Sequence, residues 1–284
     1  MLAKFSVSLP LARIVAIVSG HEIRITYIGG PTALFDWGGV RLLTDPAFDP
    51  AGGEYRTGPV VLTKTASPAR TPESLGRIDG VLLSHDHHFD NLDHSGRKLL
   101  EGVPRVLTTS AGAERLGGNA FGLANWQAVE IPVAGRVLRV TGTPARHGPA
   151  HLDRGPVTGF ILAFTDAPDQ AVYISGDTVW YEGVAEVARR FPVRLAVLFM
   201  GAARVGAVGP HPLTMTAADG IEAARAFSNA TIVPLHYEGW AHFTESREVI
   251  GRAFNDAGLG RRVRWMELGA TAPIPLPFNG AGCA

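Results

Sequence analysis

Apolar runs that stop abruptly at a histidine or an aspartate constrain this chain more than any other feature. Val81-Leu82-Leu83 follows Asp79-Gly80 and has the length and bounding of a buried strand; it leads straight into Ser84-His85-Asp86-His87-His88-Phe89-Asp90-Asn91-Leu92-Asp93-His94. The pattern recurs further on. Thr143-Pro144-Ala145-Arg146-His147 sets a histidine just past an expected strand, Val172-Tyr173-Ile174-Ser175-Gly176-Asp177 breaks at glycine into an aspartate, and Ile232-Val233-Pro234-Leu235-His236 delivers another histidine. Each alone reads as an ordinary loop, cap or core residue. Together they offer imidazole and carboxylate, the ligand types of zinc and neighbouring divalent metals, at strand ends, where open sheets gather functional groups.

The rest of the chain supplies a frame for those ends. Strands are expected at 22–28, 34–37, 40–44, 105–109, 127–132, 136–141, 157–165, 171–175, 194–199, 230–235 and 262–268. Helices are expected near 94–101, at 111–116 with Ser110 as N-cap, and at 181–190, 215–227 and 245–257. Leu34–Trp37 and Val40–Thr44 form a hairpin through Gly38-Gly39, whereas 47–77 reads as a long Gly/Pro/Ser/Thr connection suited to a lid, a pocket wall or plain surface. A hairpin-rich first half and an alternating strand–helix second half are satisfied by two mixed sheets packed face to face, with helices outside.

Composition excludes several classes. With 46% hydrophobic and 18% charged residues the chain is compact rather than disordered, and a formal net charge of zero gives no broad footprint for nucleic acid. The one cysteine, Cys283, allows no internal disulfide. Arg13 interrupts the apolar run 9–20, which is too short to span a membrane, so residues 1–20 read as a flexible extension before a single domain at 21–284. The expected location is the cytoplasm, with a secreted or periplasmic one left open by that extension. Oligomeric state is open, a homo-oligomer included.

The order Thr44-Asp45-Pro46, Ser84-His85-Asp86-His87, Asp90, His147, Gly176-Asp177-Thr178 and Pro234-Leu235-His236-Tyr237 resembles the metallo-β-lactamase superfamily over about residues 22–270. Within it the chain is most similar to the branch containing the L-ascorbate-6-phosphate lactonase and the N-acylphosphatidylethanolamine phospholipase D. The resemblance implies an α/β, four-layer αβ/βα sandwich with a metal site on one edge between the sheets. By the family's His-x-His-x-Asp-His pattern, His85, His87 and His147 hold one metal, Asp90 and His236 a second, and Asp177 bridges both. Two departures stand out: an extra residue precedes Asp90, and Asn91 stands where the family has a histidine. Either the loop bulges and His87 keeps its role, or His88 turns inward and His87 points away. An amide oxygen is a weaker ligand than imidazole, so one firm site and a looser second site are expected, filled by zinc or manganese, with iron also suited.

What such a site does follows from its charge. A bound divalent ion makes water a nucleophile near neutral pH, so the resemblance implies a hydrolase of a small ester, lactone or phosphodiester, an anionic one included. Asp90 and Asp177 are the catalytic candidates. Arg154, His211, Tyr237 and His242 are candidates for substrate contact, with Trp240 and Phe243 beside them. Asp86 either fixes a histidine tautomer or is merely solvated. The alternative is a fold relative that binds a ligand or partner, or does redox work, at a degenerate metal site. A phospholipase is disfavoured, since no amphipathic basic helix or membrane anchor is evident.

Overall fold

The computed structural model describes residues 22–276, so the expectations for residues 1–20 and Cys283 lie outside the described residues. In chain order the first strands are β1 (Glu22–Gly29), β2 (Thr32–Trp37), β3 (Val40–Thr44), β4 (Glu54–Thr57), β5 (Val60–Thr63) and β6 (Gly80–Leu82). Helix α1 (His94–Leu100), β7 (Val106–Thr108), α2 (Ser110–Leu116), β8 (Ala120–Gly122), β9 (Ala128–Val133) and β10 (Arg136–Pro144) follow. The second half runs β11 (Thr158–Phe164), β12 (Ala171–Ile174), α3 (Glu182–Arg190), β13 (Val193–Phe199), α4 (Ala217–Ala226), β14 (Thr231–Leu235), α5 (Arg247–Asp256) and β15 (Thr271–Pro275).

Two large sheets result, ordered β15-β1-β2-β3-β6-β7-β8 and β14-β13-β12-β11-β10-β9. Side-chain alternation along the strands assigns their faces. Ile23, Ile25, Phe35, Trp37, Leu42 and Leu82 of the first sheet meet Leu138, Val140, Phe160, Leu162, Val172 and Val197 of the second in one buried core. The neighbours of Leu82 in sequence, Val81 and Leu83, point the other way, onto Leu92 and Leu100 at α1. On the outer face of the second sheet, Tyr173, Ala196 and Leu198 pack on Val187 of α3, Ala223 of α4 and Phe254 of α5. The architecture is the expected αβ/βα sandwich. No helix among the described residues is long and apolar enough to cross a membrane.

Parallel pairing puts the functional ends together. Strands β3, β6 and β7 run parallel in one sheet, and β12, β13 and β14 in the other. The residues that follow β3, β6, β12 and β14 therefore emerge where a parallel sheet leaves its carboxyl ends free.

Three sequence expectations are corrected. The connection 47–77 contains the antiparallel hairpin β4–β5 and a 3₁₀ turn at Pro72–Leu75. Residues 262–268 form no strand: Gly260–Arg262 is a 3₁₀ turn, Val263 makes a single bridge to Ile232, and the last strand is β15, paired with β1. The N-cap of α2 is Thr109, whose Oγ1 accepts from Gly112 N at 2.9 Å, one residue before the expected Ser110.

The hairpin β4–β5 is tied down by charge. Lys64, just past β5, is 4% exposed; its Nζ donates to Asp93 Oδ2 at 2.8 Å and to the Ala47 carbonyl at 3.0 Å. Asp93 also caps α1 through Gly96 N at 2.9 Å and accepts from Asp49 N. Removing one partner of a buried pair leaves an uncompensated charge, so Lys64→Met is expected to destabilise the fold by about 3–5 kcal/mol in urea unfolding. A loss below about 1 kcal/mol would show that the pair is dispensable.

Candidate metal centre

Two residues past β6, Ser84 is held by the end of β3: its N–H and its Oγ–H both donate to Asp45 Oδ1 at 2.8 Å. With its hydroxyl hydrogen committed, Ser84 Oγ accepts from His85 Nδ1 at 2.9 Å, which leaves His85 Nε2 bare. His147, three residues past β10, donates from Nδ1 to the Leu213 carbonyl at 2.8 Å, which bares its Nε2 as well. His88 Nδ1 lies 2.9 Å from His85 Nε2 and 3.2 Å from His147 Nε2. Burial pushes His85 well below the usual histidine range and His88 down to about 3, so both rings are neutral at pH 7. A tetrahedral ion with ligands ~2.0–2.1 Å away has edges of ~3.3 Å, close to the spacing of these nitrogens.

A second set adjoins it. Asp90 Oδ2 lies 3.5 Å from His236 Nε2 and 3.0 Å from His242 Nε2. Asp177 Oδ1 lies 3.4 Å from His236 Nε2, while its Oδ2 faces His147 Nε2 at 3.7 Å, so one carboxylate spans both sets. Burial alone would raise Asp90 and Asp177. The nearby His236 ring reverses this in both, aided by His242 at Asp90 and by His147 at Asp177, and holds them well below the usual carboxylate range. Burial would likewise lower His236, but Asp177 and Asp90 raise it to about 10. His236 also sits at φ +58°, a left-handed conformation that costs a non-glycine residue about 1–3 kcal/mol and is characteristic of functional sites.

The donors fit a cation. Asp177 Oδ2, both ring nitrogens of His236 and Nδ1 of His242 are buried without a hydrogen-bond partner among the described residues. His85, His88 and His147, and separately Asp90, Asp177 and His236, each bring ligand atoms within 4.8 Å of one another.

Not every candidate converges. His87, expected as a ligand alongside His88, turns its Nε2 to the Arg154 carbonyl at 3.0 Å and is in neither set, because the extra residue lets His88 take the inward position. Tyr237, expected in the pocket, is buried among residues of the outer helical layer with its ring perpendicular to Trp265. His211 is exposed, 5.1 Å ring to ring from His151, and does not line the cavity above the two sets. Trp240 is buried with Tyr55 and Leu62 behind the β4–β5 hairpin, and Phe243 stacks edge-on to His236. Arg154 and His242 do line that cavity. Asp86 is neither solvated nor at the metal set: it is paired with Arg115 at 2.5 and 2.8 Å, which holds it below the usual range against the effect of burial. Asn91 Nδ2 lies 3.3 Å from Asp177 Oδ1 and 3.4 Å from Ser84 Oγ. The bracing pair Asp45–Ser84 was not singled out from residue types, since nothing in either residue's spacing announces that β3 and β6 are neighbours.

The family described as the beta-lactamase superfamily domain matches residues 40–237. The chain belongs to that superfamily. Among its relatives, the UPF0173 protein YddR of Bacillus subtilis is 24% identical over 252 residues, covering 85% of this chain and 96% of YddR. A UPF0173 metal-dependent hydrolase of Myxococcus xanthus is 27% identical over 182 residues, covering 61% of this chain and 60% of that protein. Among solved structures, the isothiocyanate hydrolase from Delia radicum gut bacteria aligns with a TM-score of 0.74 at 23% identity, over 88% of this chain and 98% of that one. Igni18, a metallo hydrolase from Ignicoccus hospitalis, aligns with a TM-score of 0.66 at 22% identity, over 90% of this chain and 100% of that one. At these identities the superfamily members share a fold.

Proposed function

We propose that the chain is a metal-dependent hydrolase acting on a small ester, lactone or phosphodiester. The observation that carries this reading is one cavity lined by His88, Asp90, His147 and His242 together with apolar walls that include Val60, Leu62, Val205 and Leu213. His85, His88 and His147 would hold one ion, Asp90 and His236 a second, and Asp177 would contact both. A divalent ion there brings the pKa of water toward neutrality and polarises a carbonyl or phosphoryl oxygen. Asp90, braced by His242 and facing the cavity, orients the attacking water. Asn91 contributes a neutral amide where a histidine would add a stronger donor, so the second set holds its ion more loosely than the first. Zinc and manganese suit the donor set, as does iron. The order Gly176-Asp177-Thr178 and Pro234-Leu235-His236-Tyr237 supports a place near the lactonase and phospholipase D branch.

The test is a hydrolysis panel of small esters, lactones, phosphodiesters and an isothiocyanate, the last because one structural neighbour bears that activity in its name. Turnover is expected with at least one class, abolished by chelator and restored by zinc or manganese. Protein that binds metal yet leaves the whole panel intact would instead support ligand binding or redox work.

A further inference from the structure

The histidine that the metal sets leave out has a well-defined place. His87 Nε2 lies 3.0 Å from the carbonyl oxygen of Arg154, an atom that can only accept, so the ring carries its hydrogen on Nε2. The next residue shows how close this approach is. Gly155 has φ +108°, and a Cβ there would stand 3.1 Å from His87 Nε2, so a side chain would both strain the backbone and crowd the ring. On its amide side, Arg154 N donates to the carbonyl of His147 at 2.9 Å. The backbone of Arg154 is thus gripped between His87 of the β6 loop and His147, a member of the first donor set.

The side chain it presents is unspent. Arg154 is the only arginine or lysine lining the cavity, and its guanidinium makes no hydrogen bond or ion pair among the described residues. The adjacent Asp153 accepts from Gly155 N through its Oδ1. An unpaired guanidinium above a bed of imidazoles and carboxylates, against apolar walls, presents a planar fork suited to a carboxylate or phosphate. Held only by its own flexible stem, such a fork loses much of its advantage to side-chain entropy; fixing its backbone from both sides reduces that cost.

Resting on the hydrolase reading above, we propose that His87 is a positioning residue that fixes Arg154 as the clamp for an anionic group on the substrate. The extra residue of the β6 loop thereby yields two adjacent histidines with separate tasks. His88 faces the donor set, and His87 sets the place of the specificity arginine. Preferred substrates carry a carboxylate or phosphate on a small apolar body, a short distance from the scissile bond.

The experiment compares p-nitrophenyl monoesters of glutarate with p-nitrophenyl valerate, an ester of the same chain length without the charge, and adds a phosphate-bearing lactone to separate the two anions. Wild type, Arg154→Ala, His87→Ala and His87→Gln are assayed as full chains, with metal content measured on each. Arg154→Ala is expected to raise KM for the anionic ester by roughly 30-fold, with KM for the neutral ester changed less than about threefold. His87→Ala is expected to move the same ratio by roughly 10-fold with kcat and metal content retained. His87→Gln, which keeps a donor, should recover part of it. A lost metal equivalent in folded His87→Gln, or equal KM changes for both esters, overturns the proposal.

Should nothing be turned over, binding of valerate against the uncharged valeramide by calorimetry reads the same variants. A preference for the anion that Arg154→Ala removes and His87→Ala weakens keeps the clamp while the hydrolase reading falls. Equal binding of the acid and the amide overturns the clamp as well.

Discussion

Asp177→Ala is expected to lower kcat/KM by on the order of 10³-fold or more and to reduce bound metal below one equivalent per chain. The size follows from position. Asp177 Oδ1 and Oδ2 face the two donor sets at 3.4 and 3.7 Å, so one substitution removes a ligand from each. Charge stabilisation at such a centre is worth several kcal/mol, and each ~1.4 kcal/mol is tenfold in rate. Asp90→Ala is expected to cost a comparable factor in kcat while sparing the His85, His88 and His147 set, so one equivalent should stay bound. Asp177→Asn separates charge from shape, since the amide fills the same space and leaves His236 without one of its two carboxylates. Metal analysis and steady-state kinetics on folded protein decide the matter: two retained equivalents with near-normal turnover in Asp177→Ala would refute the bridging role.

The second large effect is in pH. Asp177 and Asp90 raise His236 to about 10 in the metal-free protein, against about 6.5 for an unperturbed histidine. At neutral pH its ring therefore carries a proton that a metal must displace, and affinity at the second set should rise about tenfold for each pH unit gained below 10. From pH 9 to pH 6 the loss is on the order of 10³-fold. The first set behaves differently. Burial keeps His85 and His88 neutral down to well below pH 6, so no proton is displaced from either ring on binding. Metal titrations at pH 6, 7.5 and 9 should show a first equivalent that moves less than the second, which weakens steeply toward acid. The sign for stability without metal is the opposite: the raised pKa of His236 stabilises the fold fully below about 6.5, and that contribution is lost as pH climbs through 10. Two equivalents with identical pH dependence would show that the His236 proton is not at issue.

The sandwich was legible because the strands that deliver the site are apolar and their ends are chemically abrupt. Val81-Leu82-Leu83 or Ile232-Val233-Pro234-Leu235 leaves no doubt about burial, and a histidine immediately after a buried strand has few places to go. What stayed open was local geometry that residue types do not encode. His87 and His88 are the same side chain one position apart, and only the path of the loop decides which one faces His85 and His147. Asp45 and Ser84 are joined by the parallel pairing of β3 with β6, a long-range contact with no local signature. The β4–β5 hairpin was missed because each strand has four residues and the pair is embedded in Gly, Pro and Thr. For β15 the misleading signal was proline: Thr271-Ala272-Pro273-Ile274-Pro275 reads as coil, while the charged and apolar alternation of 262–268 reads as strand. Tyr237 was expected in the pocket from its nearness in sequence to His236, yet the turn after β14 sends consecutive side chains to opposite layers.

The two prolines of β15 have a consequence beyond local pairing. This strand is the outermost of its sheet, and Pro273 and Pro275 lie opposite Arg24 and Glu22 in register. Neither imino nitrogen carries a hydrogen, so a strand from another molecule arriving along that flank would find both of these positions with nothing to donate. Lateral growth into a fibre is blocked there by missing chemistry rather than by bulk.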